Sequence, residues 1–183
     1  FFVITDADSL LIQNSLYNIG CLMTKKNIGA VSGVKFCKKM QYTNIYNNYN
    51  IWIRCAESKI DSTPIFNGPI AGYKINKNDK IDPKRNADDS QLALLVQKKG
   101  LRTIVNKNIL FLEESCLNKK EYFDRALRRA QGLCLLFWRS KNIWFSNNYK
   151  GLIIGLNGIR YIITPFFVFF GSITGILNIL III

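Results

Sequence analysis

From Tyr161 to Ile183 the chain carries no charged side chain, a run of 23 residues. As a helix rising about 1.5 Å per residue, such a run is long enough to cross a bilayer. The stretch before it is basic. From Arg125 to the end there are seven Lys or Arg residues and no Asp or Glu. Basic residues beside a span favour the cytoplasmic side, so an integral membrane protein with its remaining part in the cytoplasm is expected. The formal net charge of +13 calls for anionic partners: nucleic acid, anionic lipid or phosphorylated substrates. Its concentration next to the apolar run, without a nucleic-acid recognition signature, points away from nucleic acid.

The rest of the chain is large enough for one domain, and 49% hydrophobic residues in 183 suffice for a packed core. Cys21, Cys37, Cys55, Cys116 and Cys134 are scattered and never in CxxC spacing, which excludes the usual zinc and disulfide frameworks and suggests small core side chains. The chain has no His, which excludes a Ser-His-Asp triad and histidine metal sites within it. Acid–base chemistry falls to carboxylates, Lys, Tyr or Cys.

Periodicity predicts a buried strand at residues 1–5, a helix over 9–23 and a strand over 28–36. An amphipathic helix follows over 43–60, with apolar residues at 45, 49, 52, 53, 56 and 60. Two short strands are expected around PIF and IAGYKI, broken at Asn67-Gly68-Pro69. A polar loop at 76–86 leads to a helix from Asp88 that Gly100 stops, then strands LRTIV and ILFLE, then a long helix over 119–141. Residues 142–158 mix aromatic, polar and apolar side chains, as an interfacial segment does. The domain reading is therefore 1–141, an interfacial 142–158 and a span at 159–183.

Three clusters carry candidate chemistry, each with a plain alternative. In TDADS, Asp6 and Asp8 follow a strand-like run. Carboxylates at a strand's C-terminal end can hold Mg²⁺ or Mn²⁺ on a diphosphate, and Asp before an apolar run is also an ordinary N-cap. In ADDSQL, Asp88 and Asp89 open a helix. Without His a carboxylate is the natural general base, and acids also suit a helix N-terminus. In FDRALRRAQGL, Arg125, Arg128 and Arg129 share one helix face. That face can neutralise a leaving diphosphate, or simply be solvated or meet lipid headgroups. Between them Glu57 can orient a site or be a solvated charge, and Gly68 lets backbone approach a ligand or turns the chain. Trp52, Trp138 and Trp144 serve equally as core anchors or sugar platforms.

In order along the chain, these pieces resemble the second half of a membrane-bound family 2 glycosyltransferase of the GT-A fold, in the group that includes cellulose-synthase-like enzymes. TDAD matches the DxD metal motif at Asp6 and Asp8. GAVSG sits about where the next strand belongs, and ESKIDSTPIFNGPIAGYK matches the ES…S…FNG stretch containing Glu57, Asn67 and Gly68. ADD matches the ED pair, Asp88 in the Glu place and Asp89 in the base place. DRALRRAQG stands at the QxxRW position, with Arg125 for Gln, Arg128 for the motif Arg and Arg129 for Trp. The missing Trp departs from the pattern of processive synthases.

The resemblance implies an α/β fold, an incomplete Rossmann-like GT-A domain followed by an interfacial segment and a transmembrane helix. It implies an inverting transfer from a nucleotide-sugar to a lipid or saccharide acceptor. Asp6 and Asp8 would hold Mg²⁺ or Mn²⁺, and Asp89 beside Asp88 would be the base. Arg125, Arg128 and Arg129 would bind the donor diphosphate, and Glu57, Asn67 and Gly68 would line the acceptor pocket. A nucleotide-binding half is expected before residue 1, leaving this stretch inactive alone. Two rival readings remain: a haloacid-dehalogenase-like phosphatase with Asp6 as nucleophile and Asp8 as acid, and an inactive membrane-anchored remnant.

Overall fold

The structure, a computed structural model, describes residues 1–36, 42–76, 79–82, 87–113 and 119–182. Cys37, Cys116 and residues 77–78 and 83–86 of the expected polar loop lie outside the described residues. Strands β1 (Phe2–Thr5), β2 (Ser9–Leu11), β3 (Ile28–Lys35), β4 (Ile70–Tyr73) and β5 (Arg102–Glu113) form one mixed sheet in the order β1-β4-β3-β5-β2. Strands β3 and β5 are parallel, and the other pairings are antiparallel.

Alternation along β3 and β4 gives the sheet two apolar faces. On one, Ile19 and Met23 of helix α1 (Ser15–Met23) pack on Val31, Ile70, Ile109 and Phe111. On the other, Leu92, Ala93 and Val96 of helix α3 (Asp88–Lys98) meet Ala30, Val34, Ala71, Tyr73 and Val105. Ile51 and Cys55 of helix α2 (Tyr42–Ile60) join that second face. A third cluster joins Leu94 to Leu133, Leu136 and Phe137 of helix α4 (Lys119–Arg139) and to Ile154 of helix α5 (Tyr149–Gly158).

Several expectations from periodicity are corrected. Residues 2–5 do form a strand, but at the sheet edge, where Phe2 and Ile4 are 39% and 40% exposed. The expected helix over 9–23 divides. Ser9–Leu11 pairs with β5, Asn14 takes a left-handed conformation, and Ser15 closes the turn by donating to Leu110 O (2.8 Å) and accepting from Leu110 N (2.9 Å). Leu10 and Leu11 fit helical spacing, but ladder bonds to β5 decide their conformation. PIF is irregular backbone, tied to β5 just ahead of it through Thr63 N to Thr103 O. LRTIV and ILFLE are one 12-residue strand, with the polar Asn106-Lys107-Asn108 carried as a bulge: Ser32 pairs with Val105 but Val34 with Leu110. Cys21 is exposed, and Cys55 and Cys134 are half-buried rather than core residues.

After α4 comes a 3-10 turn (Lys141–Ile143), then α5, a π-helical turn (Ile159–Ile163) and helix α6 (Thr164–Ile182). The segment expected to be interfacial thus contains α5, whose Ile153, Ile154 and Asn157 are buried while Leu152 and Leu156 face out. Close approach to the preceding turn depends on small residues, since a Cβ at Gly158 would lie 2.2 Å from the Trp144 ring. Tyr149–Gly175, 27 residues or about 40 Å of helix, is long and apolar enough to cross a membrane. Its first part packs on the domain, and Phe166–Phe170 are exposed.

Gly33 stands opposite the β5 bulge, where an added Cβ would fall 2.7 Å from the Ile109 carbonyl oxygen and 2.9 Å from Ile70. Backbone cannot swing aside as a side chain can. Gly33→Ala should therefore lower stability by about 1–3 kcal/mol, read as a drop in urea midpoint at constant slope.

Candidate functional site

A cleft of about 730 Å³ opens where the β1 end, the 65–69 loop, the start of α3 and the first half of α4 meet. Asp6, Asp8, Gly68, Asp88, Asp89, Arg125, Arg128 and Arg129 all line it. Residues some eighty positions apart are thus brought together. A Cβ placed on Gly68 would be 3.8 Å from Asp89 Oδ2 and 3.9 Å from Asp6 Oδ2, so one point touches both carboxylates. The bareness of Gly68 keeps that point open.

Each wall is held by a traceable bond. Asp6 N and the Thr5 hydroxyl both donate to Pro69 O, at 3.4 and 3.1 Å. The start of α3 is fixed by Phe66 N donating to Ser90 Oγ (3.3 Å) and by Tyr73 Oη donating to the Asp89 carbonyl (3.2 Å). Ala87, just ahead of that helix, has φ 67°, a left-handed conformation that disfavours any Cβ. Asp89 Oδ1 accepts from the Ser90 amide at 2.7 Å.

The electrostatics are those of crowded carboxylates facing arginines. Burial, more than any neighbour, pushes Asp89 above the usual carboxylate range. Asp88 adds to this, while the Ser90 amide, Arg129 and Arg54 oppose it. Asp6 is raised first by burial, then by the negative charges of Asp8, Glu113 and Asp88, against Arg129. Burial raises the Tyr73 phenol too, keeping it a donor.

The three arginines differ. Arg125 is clasped by Glu113 (2.9 Å) and Glu121 (3.2 Å), and Lys35 also bonds Glu113 at 3.0 Å. Arg128 and Arg129 form no ion pair among the described residues and lie exposed on the α4 face.

Two expected pocket residues sit behind the wall rather than on it. Glu57 is buried, accepting from Thr63 Oγ1 (2.6 Å) and Asn157 Nδ2 (2.6 Å), and burial outweighs those bonds in raising its carboxyl. Asn67 donates from Nδ2 to Gly33 O at 3.1 Å and accepts from Arg54 at Oδ1. None of Trp52, Trp138 and Trp144 lines the cleft.

Lining residues that the sequence reading did not single out include Arg54, Tyr73, Asp82 and Glu113. Arg54 had a signal, lying three residues before Glu57 and so on the same helix face. Glu113 and Tyr73 had none, being brought in only by sheet register.

Among the described residues, no three His, Cys, Asp or Glu side chains could hold a metal by themselves. Magnesium-like ions need fewer protein ligands where a diphosphate supplies the others. Asp6 and Asp8, beside the further acids Glu113 and Asp88, fit such a shared site, since a cation would relieve their mutual repulsion.

No family model matches the chain, and no curated protein does. Among solved structures, the mannosyltransferase PcManGT from Pyrobaculum calidifontis, in complex with GDP-Man and Mn²⁺, superposes with a TM-score of 0.74 at 28% identity. The match covers 90% of this chain and 46% of that one, so the chain spans about half the length of its structural relative. It supports no phosphatase. The mixed α/β domain described here has a glycosyltransferase fold, of a kind found with a nucleotide-sugar and a divalent metal.

Proposed function

We propose that this chain supplies the metal, base and leaving-group side of an inverting glycosyltransferase that moves a sugar from a nucleotide-sugar to a lipid or saccharide acceptor. The convergence of Asp6, Asp8, Asp89, Arg128 and Arg129 on one cleft carries the proposal. We place the enzyme in the membrane-bound, cellulose-synthase-like group. The part of the Tyr149–Gly175 helix beyond Gly158 would enter the membrane, while its first part packs on the domain, with the cleft on the cytoplasmic face next to the basic α4. The domain assignment remains 1–141 for the catalytic part, 142–158 for the juxtamembrane part and 159–183 for the span.

Asp6 and Asp8 would hold Mg²⁺ or Mn²⁺, which when bound offsets charge on the donor diphosphate. Asp89 takes the proton of the acceptor hydroxyl. The freed oxygen attacks the anomeric carbon from the side opposite the diphosphate. As the new C–O bond forms, the bond to the diphosphate breaks and its electron pair leaves with the phosphate oxygen. Arg128 and Arg129 meet that developing charge, and Arg125, already held by two glutamates, shapes the wall beside them. Asp88 keeps Asp89 basic through like-charge repulsion. Gly68 leaves room for the reacting sugar, with Asn67 and Glu57 holding the loop and helix behind it.

In the full-length protein, Asp89→Asn should abolish transfer, by about 10²-fold or more, while nucleotide-sugar binding stays near that of the parent. Undiminished turnover with a hydroxyl acceptor would remove the base from the scheme. Asp8→Ala should lose the Mn²⁺-dependent part of nucleotide-sugar binding, measured by calorimetry across a panel that includes GDP-mannose. Equal affinity with and without Mn²⁺ in parent and variant would refute the metal assignment.

The raised pKa of Asp89 predicts opposite pH trends for activity and stability. As a base it must be ionised, so kcat/KM should rise through a pKa above that of an ordinary Asp. A carboxyl raised on folding contributes stability at low pH that is lost as pH rises through its folded value. Asp89→Asn, which still accepts from Ser90 N, should match the parent's Tm near pH 4 and exceed it at neutral pH. A thermal scan across pH checks the crossover.

A further inference from the structure

Helix α2 is bonded on both sides. Arg54 reaches the cleft and donates to Asn67 Oδ1, while Asn50 and Glu57, four residues before it and three after, are buried against the α5 end of the long helix. Glu57 Oε1 accepts from Asn157 Nδ2 at 2.6 Å, and Asn50 Oδ1 accepts from Arg160 Nη2 at 2.6 Å. The Arg160 guanidinium also lies 5.1 Å from the centre of the Tyr49 ring and 5.3 Å from that of Tyr161. Two donors three residues apart on one helix thus grip two acceptors seven residues apart on the other. Arg54 lies between the gripped positions.

This contact is an unusual way to pack helices. Glu57, Asn50 and Asn157 are 8%, 7% and 3% exposed, and apolar side chains of the same size would join two helices with less desolvation. What the polar pairs add is register: each bond exists at one rotation and one height only. The long helix also gives up regular geometry here. Its π-helical turn at Ile159–Ile163 begins two residues after Asn157 and contains Arg160, and such turns are often kept where a side chain must be aimed.

We propose that Asn157 and Arg160 are positioning residues. By holding α2 at Glu57 and Asn50, they keep the Arg54 guanidinium in the cleft wall, so the helix long enough to cross a membrane is mechanically part of the site. Arg54 in turn bonds Asn67, whose backbone continues into Gly68 and Pro69 beside Asp89 and Asp6. A shift of α2 along α5 would therefore be felt at the carboxylates.

The test uses the full-length protein in lipid nanodiscs, comparing the parent with Asn157→Leu, which keeps volume but cannot donate, Arg160→Met and Asn157→Gln. Hydrogen–deuterium exchange is the first readout, and it needs no substrate. Both disabling variants should speed exchange of amides 54–69 by about tenfold and leave those of β3 and β5 unchanged. The second readout, which rests on the transfer reaction proposed above, uses GDP-mannose and Mn²⁺ as donor probe. Here kcat should fall about tenfold with little change in KM, Asn157→Gln should recover part of it, and Asn157→Leu should cost nothing more in an Arg54→Lys background. Unchanged exchange at 54–69, or full additivity with Arg54→Lys, overturns the proposal. A parent that transfers no sugar from any donor across a nucleotide-sugar panel that includes GDP-mannose refutes the transferase reading instead, and the exchange result still decides the clasp.

Discussion

The Asn67-Gly68-Pro69 turn is the constraint on which the rest of the site depends. Ser32 Oγ shares its one proton between Asn67 O (3.1 Å) and Ile70 O (3.0 Å) and accepts from Asn67 N (3.2 Å), fixing the turn to β3. Pro69 O receives the β1 end, Asn67 Oδ1 receives Arg54 of α2, and the Phe66 amide ties the same stretch to Ser90 of α3. Four elements, β1, β3, α2 and α3, are thus registered against the irregular backbone of residues 66–69. Irregular backbone is the economical choice here. A strand would have spent those amides and carbonyls on ladder neighbours, whereas this turn directs them to separate elements. Buried backbone polar groups must find partners, and here the partners are the very segments that bear the carboxylates.

Charge then explains why these side chains are held so firmly. Asp6, Asp8, Asp88, Asp89 and Glu113 share one cleft, and like charges at that density push outward. Arg54 and Arg129 counter part of this at Asp89, and Lys35 and Arg125 neutralise Glu113. Arg128 and Arg129 remain on the rim. The balance leaves the Asp6 end acidic and the α4 rim basic, a polarity that fits a cation and a diphosphate lying side by side. Field of this kind, fixed before a substrate arrives, costs no reorganisation during reaction.

The legible parts of the chain were those governed by local pattern. The extent of α2, the acids opening α3, the arginine face of α4 and the apolar run of α6 follow from local pattern. The apolar stripe expected to bury α2 nevertheless faces outward: Ile45, Tyr49, Trp52 and Ile60 are exposed, and the helix packs through Ile51, Cys55 and the buried polar residues Asn50, Arg54, Glu57 and Ser58. Strand placement was harder. Phe2 and Ile4 look like core residues, and only the order β1-β4-β3-β5-β2 puts them at an edge. Leu10 and Leu11 satisfy a helical period equally well as a strand, and the partner that settles the matter, β5, lies a hundred residues away. In the site, the acidic and basic motifs declared themselves through residue type and order. Glu113 and Tyr73 could not, because an ordinary strand residue becomes a lining residue only through register. Glu57 and Asn67 belong to the matched stretch yet lie behind the wall, since a buried acid behind a wall and one upon it look alike in sequence.

That distinction changes how Glu57 is understood. An ionisable group in the wall of a cleft invites a chemical role, yet both of its oxygens are occupied by Thr63 and Asn157. A carboxylate so engaged, and standing outside the cleft lining, has little reach for a substrate. Its bonds are worth more as geometry. Thr63 begins the irregular run that reaches Asn67, and Asn157 belongs to the long apolar helix, so Glu57 joins the site's loop to that helix through a single residue. Replacing it by Gln would keep one acceptor and turn the other position into a donor facing either Thr63 or Asn157, whose own donor would then have to turn away. The buried pair therefore specifies an arrangement more strictly than it stabilises one, as polar groups in apolar surroundings do when only one register satisfies them.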